Sequence, residues 1–308
     1  MPLRSLPERF FDFSVSNRPL APLTTWGIGG VSRFFLAPRN EEELAAVISL
    51  LDREGERFHV LGGGSNLLIN DGTIETPVLH TALMNAINVV VESGKILLEC
   101  GAGTNLKQIF RLALDEAWSG LEFLAGIPGT VGGALMGNAG TKHGTIAESV
   151  VAVRTVEANG ALLDWDANDI EWGYRTSPFP NLGGRVIVKA VFSLRQSEKE
   201  QVLERVKMAI TERKSQPHGV KTAGCVFKNP QGDTAGRLLD RSGCKGLSVR
   251  GAVVSRKHAN FFENAGGATA DDMVELVRLC GKRVYDAFGV ELKLEIKTMG
   301  FEEPFPLR

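Results

Sequence analysis

Apolar residues recur at Leu44, Val47, Ile48 and Leu51, the spacing that lines one face of an α-helix. The stretch opens Asn40-Glu-Glu-Glu43, an N-cap followed by first-turn acids with Glu43 placed to reach back to the cap, and Gly55 supplies the stop. Residues 57–61 read as a short strand running into three glycines. The runs 87–91 and 96–100 flank Ser93-Gly94 as a hairpin. A second amphipathic helix, capped by Thr104, carries Leu106, Ile109, Phe110, Ala113 and Leu114 on one side and ends near Gly120. Asn159-Gly160 predicts a second hairpin around it, and 185–192 a strand.

A polar helix is predicted over 197–215, with Glu200 in capping-box position to Ser197 and Pro217 closing it; it reads as a connector between domains. Beyond it lie a short helix over 234–240 and strands within 251–262. A long helix capped by Thr269 and Asp272 and a final strand over 290–298 complete the chain. In that last strand Val290, Leu292, Leu294 and Ile296 alternate with Glu291, Lys293, Glu295 and Lys297. Helices and strands mix without strict βαβ alternation, which favours an α+β fold over a doubly wound sheet.

Composition narrows the function. Thirty-five lysines and arginines against 36 acids give a net charge of −1, so no basic excess draws the chain to nucleic acid or to an anionic membrane surface. The cysteines at 100, 225, 244 and 280 form no CxxC pair, and the histidines at 59, 80, 143, 218 and 258 have no metal-ligand spacing. Neither a metal site nor a disulfide framework is expected, and free thiols suit a reducing cytoplasm. The uncharged stretch 123–141 holds six glycines, a proline and an asparagine, too little apolar density for a membrane span. The N-terminus has no apolar segment of signal-peptide length.

Glycine is the outlier: 35 in 308 residues is about 11%, against an average near 7%. One cluster, Gly62-Gly63-Gly64-Ser65-Asn66, follows a predicted strand and exposes main-chain N–H groups that a pyrophosphate can approach without meeting a Cβ. It is not a GxGxxG fingerprint, and no GxxxxGK[ST] occurs. A second cluster places glycine at 126, 129, 132, 133, 137 and 140, each costing backbone entropy on ordering. A chain of tight turns explains either cluster alone less well than a bound ligand does, and both together worse still. A third run, Thr24-Thr-Trp-Gly-Ile-Gly-Gly30, sets the Trp26 indole beside flexible backbone. Two phosphate-cradling loops without a P-loop or a Rossmann motif point to a large phosphorylated cofactor held in another way.

Thr25-Trp-Gly-Ile-Gly-Gly30, Val60-Leu-Gly-Gly-Gly-Ser-Asn-Leu-Leu68 and Gly120-Leu-Glu-Phe-Leu-Ala-Gly-Ile-Pro-Gly-Thr-Val-Gly-Gly-Ala134 resemble the UDP-N-acetylenolpyruvoylglucosamine reductases. So do Tyr174-Arg-Thr-Ser-Pro-Phe179 and Ala223-Gly-Cys-Val-Phe-Lys-Asn-Pro230, and the resemblance spans nearly the whole chain in order. It implies a two-subdomain FAD-binding fold of the vanillyl-alcohol-oxidase-like type, over 1–85 and 86–197. A C-terminal α+β substrate domain over 198–308 would follow, in the short form of the family. It implies non-covalent FAD, held by Trp26, Gly62, Gly63, Gly64, Ser65, Asn66, Gly126, Ile127, Pro128, Gly129, Thr130, Gly132, Gly133, Asn138, Ala139 and Gly140. The implied partners are NADPH, which reduces FAD, and UDP-N-acetylglucosamine enolpyruvate, whose enolpyruvyl ether becomes a lactyl ether in cytoplasmic peptidoglycan precursor synthesis.

Such a reduction builds negative charge on the enolpyruvyl carboxylate side and needs a group to hold it and a proton donor. Arg175 matches the family's catalytic arginine, whose guanidinium suits a carboxylate; read alone it is one surface arginine among many. Glu295 matches the second acid of the site, although by alternation it is one of a solvent-facing polar row. Beside a substrate carboxylate it works protonated or through Arg175. Cys225 stands where family members commonly carry the serine that protonates carbon, and a thiol of ordinary pKa roughly 8.5 is the better donor at neutral pH. The bland alternative is a buried structural cysteine, the reading given to Cys100, Cys244 and Cys280. Lys228 and Asn229 are expected to face the substrate. Arg213 and Lys214 resemble the family's phosphate-facing basic stretch, with Ser215 where a lysine is common. Tyr174 packs on substrate or nicotinamide, or fills core. Two other functions stay open: a sugar or alcohol oxidase of the same fold, with His143 as a covalent flavin link, and a non-enzymatic nucleotide-sugar binding protein.

Overall fold

The computed structural model describes residues 8–92, 95–179 and 184–301; the predicted turn at Ser93-Gly94 lies outside them. The chain folds as two compact units. One comprises Met1–Ser16, Phe34–Gly63 and Thr76–Arg213, the other Asn17–Arg33, Gly64–Glu75 and Lys214–Arg308.

In the first unit, helix α1 (Glu41–Arg53) begins as its sequence dictates, with Asn40 Oδ1 accepting from the Glu43 N–H at 2.9 Å. The Glu43 carboxylate does not return to the cap. It accepts instead from the Arg39 N–H at 2.8 Å and pairs with the Arg39 guanidinium, which holds its carboxyl below the usual range. Leu44, Val47, Ile48 and Leu51 are buried with Phe34, Leu36 and Leu79. They cover a parallel trio in which Phe35 pairs with Val78 and His59 with Val78 on its other side.

A six-stranded antiparallel sheet fills the rest of the unit, in the order Leu162–Asp166, Val150–Val156, Val186–Gln196, Lys95–Gly101, Ile87–Glu92, with Trp118–Ser119 paired to the end of Val186–Gln196. A hairpin forms at Asn159-Gly160 as a loop longer than two residues: Val156 pairs with Leu162, the Glu157 N–H donates to the Ala161 carbonyl at 2.8 Å, the Ala161 N–H to Asn159 Oδ1 at 3.0 Å, and Gly160 sits at φ +83°. Helix α2 (Leu106–Asp115) is capped by Asn105, with Gln108 reciprocating, rather than by Thr104. Thr104 is buried and its carbonyl accepts the Val131 N–H at 2.9 Å, so it holds the second glycine cluster instead. Helix α3 (Val131–Met136) lies within that cluster. Helix α4 (Lys199–Arg213) is the expected polar helix, and its Val202, Val206 and Ala209 pack against Ala125.

The second unit is built on the antiparallel strands Lys221–Cys225, Phe261–Asn264, Ala252–Val254 and Ser248–Val249. Helices α5 (Ala235–Arg241) and α6 (Ala270–Phe288) pack into one core with Trp26, Phe227 and Phe262. The predicted cap of α6 is a full capping box: the Asp272 N–H donates to Thr269 Oγ1 at 3.1 Å and the Thr269 N–H to the Asp272 carboxylate at 3.0 Å. The predicted final strand shrinks to Lys297–Met299, parallel to Leu67–Ile69. Leu292 and Ile296 are buried as the alternation requires, but 290–296 changes backbone partner part-way. The Glu295 N–H bonds the Val226 carbonyl and the Lys297 N–H bonds the Asn66 carbonyl, so no continuous ladder forms. Among the described residues no helix is long and apolar enough to cross a membrane.

Candidate active site

The two glycine clusters, more than sixty residues apart in sequence, meet main chain to main chain in the first unit. A Cβ built on Gly62 would stand 2.8 Å from Thr130 Oγ1, and one on Gly63 3.0 Å from the Gly129 Cα. Gly133 faces the same hydroxyl. Thr130 Oγ1 is buried and has no hydrogen-bond partner among the described residues. An unsatisfied buried hydroxyl costs roughly 1–3 kcal/mol, which a ligand acceptor relieves. A glycine-walled cradle around an orphaned donor fits the pyrophosphate of a dinucleotide such as FAD.

Not every predicted glycine serves that cradle. Gly132 is buried in close packing, its N–H on the Ala102 carbonyl at 2.8 Å. Gly140 is buried where a Cβ would meet the Gly144 carbonyl at 2.7 Å. Gly126, at φ +78°, lies against the Arg213 side chain, and the Ile127 N–H closes a turn on the Leu124 carbonyl at 2.9 Å. Pro128 continues this loop and half-buried Ala139 follows α3, its N–H on the Ala134 carbonyl. Asn138 spends both ends of its amide on the protein, on the Gly173 carbonyl and the Ala147 N–H.

The remaining half of the first loop belongs to the second unit. Gly64, at φ +58°, presses on the Leu23 carbonyl, and its own carbonyl accepts the Thr25 N–H at 3.1 Å. Ser65 is half-buried and Asn66 exposed. Asn66 donates its amide to the Glu295 carbonyl at 3.1 Å. Trp26 corrects the sequence reading: its indole is fully buried, with its N–H on the Phe262 carbonyl at 2.8 Å, so the side chain is a core anchor for the 24–30 turn.

Arg175 occupies the tip of a turn in the first unit, at φ +54°, with its guanidinium 5.8 Å from the Tyr174 ring. Tyr174 is 60% exposed, which removes the core-filling alternative.

Cys225 and Glu295 belong to neighbouring segments of the second unit. The strand Lys221–Cys225 carries a bulge: Thr222 pairs with Glu263 and Cys225 with Phe261, leaving one extra residue. Gly224 absorbs it at φ +80°. The residue after Cys225 then receives the Glu295 N–H at 2.8 Å, and Phe227 bridges Leu294. Both Cys225 and Glu295 are half-buried. By contrast burial pushes the Cys100 thiol up to about 12, and Cys244 and Cys280 are fully enclosed.

Sequence reasoning missed Asn260. It is buried, donates to the Phe227 carbonyl at 2.8 Å and accepts the Phe227 N–H at 2.9 Å. Its own carbonyl takes the Val226 N–H. An asparagine directly before the apolar pair Phe261-Phe262 is the only local signal. Lys228 is half-buried, its N–H on the Lys293 carbonyl at 2.8 Å. Although Lys297 is exposed, partial desolvation and the charge of Lys228 lower its pKa. Asn229 is exposed, but its Oδ1 accepts the Ala235 N–H at the start of α5. Lys214 is exposed. His143 lines a cavity of about 270 Å³ with Glu122, Glu148 and Arg205. Arg205 pairs with Glu122 there at 3.0 Å. Among the described residues no cluster could hold a metal ion.

Residues 32–166 match the model of an FAD binding domain, in keeping with the cradle around Thr130. The chain is an FAD-dependent oxidoreductase. Residues 216–299 match the C-terminal domain of UDP-N-acetylenolpyruvoylglucosamine reductase. The curated enzyme of that name from Carboxydothermus hydrogenoformans is 38% identical over 96% of this chain and 97% of its own length. That from Moorella thermoacetica is 39% identical over 93% of each. The crystal structure of the Thermus caldophilus enzyme is 35% identical with a TM-score of 0.78, covering 93% of this chain and 98% of that one. The chain belongs to the UDP-N-acetylenolpyruvoylglucosamine reductase family.

Proposed function

We propose that this chain reduces UDP-N-acetylglucosamine enolpyruvate to UDP-N-acetylmuramate, with NADPH as electron source, in cytoplasmic peptidoglycan precursor synthesis. Residues 1–85 and 86–197 act as the two flavin-binding subdomains and 198–308 as the substrate domain. FAD supplies two-electron transfer between nicotinamide and substrate. Thr130 donates its hydroxyl to the cofactor phosphates, and the main chain of Gly62, Gly63, Gly129 and Gly133 lines them.

Arg175 holds the substrate carboxylate as charge accumulates on it, a task for which a planar guanidinium is suited. Cys225 Sγ–H gives a proton to the carbon next to that carboxylate, and the thiolate recovers a proton from solvent. Glu295, on the segment whose N–H meets the Val226 carbonyl, serves as the second acid of the site. Lys228, Asn229, Tyr174, Arg213 and Lys214 complete the substrate contacts. The observation that supports this reading is the coupling of the Cys225 bulge to Glu295 through Val226, which puts a thiol and a carboxyl on adjacent backbone.

The test is anaerobic. The holoenzyme is reduced with NADPH, UDP-N-acetylglucosamine enolpyruvate is added, and return of the oxidised flavin absorbance is followed. Return is expected. A flavin that stays bleached removes the substrate, and equal bleaching by NADH removes the NADPH preference.

A further inference from the structure

Asn138 follows α3 at the end of the second glycine cluster, where it reads as a flavin contact. The structure uses it differently. Its backbone is left-handed at φ +40°, and the side chain is buried, only 7% exposed. Nδ2 donates to the Gly173 carbonyl at 3.0 Å, and Oδ1 accepts the Ala147 N–H at 3.4 Å. Both ends of the amide are therefore engaged.

Gly173 is one gatepost of the Arg175 turn. Gly173 and Thr176 exchange main-chain hydrogen bonds of 3.1 and 3.3 Å, leaving Tyr174 and Arg175 as the two residues of the tip. Arg175 sits there at φ +54°, a conformation that non-glycine residues adopt only when the surroundings hold them. Just beyond the other gatepost, Ser177 Oγ donates to the Met136 carbonyl at 3.1 Å. Two polar side chains thus tie the entry and exit of the Arg175 turn to residues 136 and 138, the C-terminal end of α3.

We propose that Asn138, seconded by Ser177, is a positioning residue for Arg175. It transmits the placement of the glycine-rich 126–140 segment to the guanidinium. The inference rests on the role given to Arg175 above.

Asn138→Asp preserves shape and left-handed tolerance but sets a carboxylate oxygen against the Gly173 carbonyl. Asn138→Gly keeps the backbone and removes the amide, and Ser177→Ala removes the second tie. In the holoenzyme, each Asn138 variant is expected to slow substrate reduction about 10- to 100-fold, the penalty for a small misplacement, and Ser177→Ala to slow it less. FAD affinity of the apoprotein and flavin bleaching by NADPH stay at native values. Amide exchange at Gly173 and Thr176 rises at least tenfold, while the strand Val186–Gln196 keeps its protection. In an Arg175→Ala background the Asn138 substitutions add nothing to the loss of rate.

Unchanged exchange at Gly173 and Thr176 overturns the proposal, as does a parallel fall in FAD affinity or a rate loss that persists without Arg175. If exchange rises but Arg175→Ala itself leaves substrate reduction intact, the positioning contact stands and the catalytic reading of Arg175 is what fails.

Discussion

The main-chain N–H of Glu295 donates to the carbonyl of Val226 at 2.8 Å, which sets a carboxyl-bearing residue against the neighbour of the half-buried thiol Cys225. The Gly224 bulge turns the strand at that point, and Asn260 braces it from within the core. Hydrogen bonds from Asn260 and Glu295 thus tie down the backbone that follows Cys225. Replacing the thiol should therefore act on chemistry rather than on folding. Cys225→Ser is expected to retain a measurable part of the turnover, because a hydroxyl keeps a donor there. Cys225→Ala is expected to lose most of it, within the roughly 10²–10⁴-fold range of general acid catalysis. Steady-state rates check this, and an alanine variant as fast as the native enzyme removes Cys225 from the mechanism.

Thr130 gives a prediction in which stability and affinity move apart. Its buried hydroxyl has no partner among the described residues, so Thr130→Val removes an unsatisfied donor at nearly constant volume. Thermal unfolding of the apoprotein should show a Tm equal to or above the native value. FAD titration of the same protein should show weaker binding, by about tenfold for one lost hydrogen bond of about 1.4 kcal/mol. A lowered apoprotein Tm with unchanged affinity would mean that the hydroxyl serves the fold.

Glu295 can act as a neutral donor or as a charge. In the role proposed for it, Glu295 would face a substrate carboxylate, where like charge favours the protonated form. Glu295→Gln, which keeps size and a donor N–H, is thus expected to hold turnover within about tenfold of native, a loss of no more than about 1.4 kcal/mol in barrier. A loss approaching that of Cys225→Ala would show that the ionised carboxylate is required.

Asp272 makes acid stability of the second unit testable. Hydrogen bonds from the Thr269 backbone, joined by Arg250 at 3.0 Å, hold its carboxyl below the ordinary aspartate value. A depressed folded pKa contributes stability that is complete above the unfolded value of about 3.9 and is lost as pH falls through the folded one. Denaturant midpoints should drop across that acid window in the native protein and drop less in Asp272→Asn. Parallel acid limbs in the two proteins would contradict the assignment.

How far the sequence reached is clearest from individual residues. Asn40, Thr269 and Asp272 were legible as caps because capping is settled within three or four residues. Leu44, Val47, Ile48 and Leu51 were legible as core because helical spacing fixes which side chains share a face. The chemistry at Cys225, Arg175 and Glu295 came from motif resemblance, not from periodicity.

Other assignments depended on contacts that no local pattern encodes. Trp26 looked like a ligand-facing indole until Phe262, 236 positions away, took its N–H. Asn138 carries the same local signature whether it meets a cofactor or the Gly173 carbonyl. The alternation over 290–296 correctly buried Leu292 and Ile296, yet whether that stretch joins a sheet turned on Val226 and Asn66. Side-chain burial follows from spacing along one segment, so sequence alone determined it. Which distant group completes each buried hydrogen bond depends on where the rest of the chain packs, and only the tertiary structure decided that.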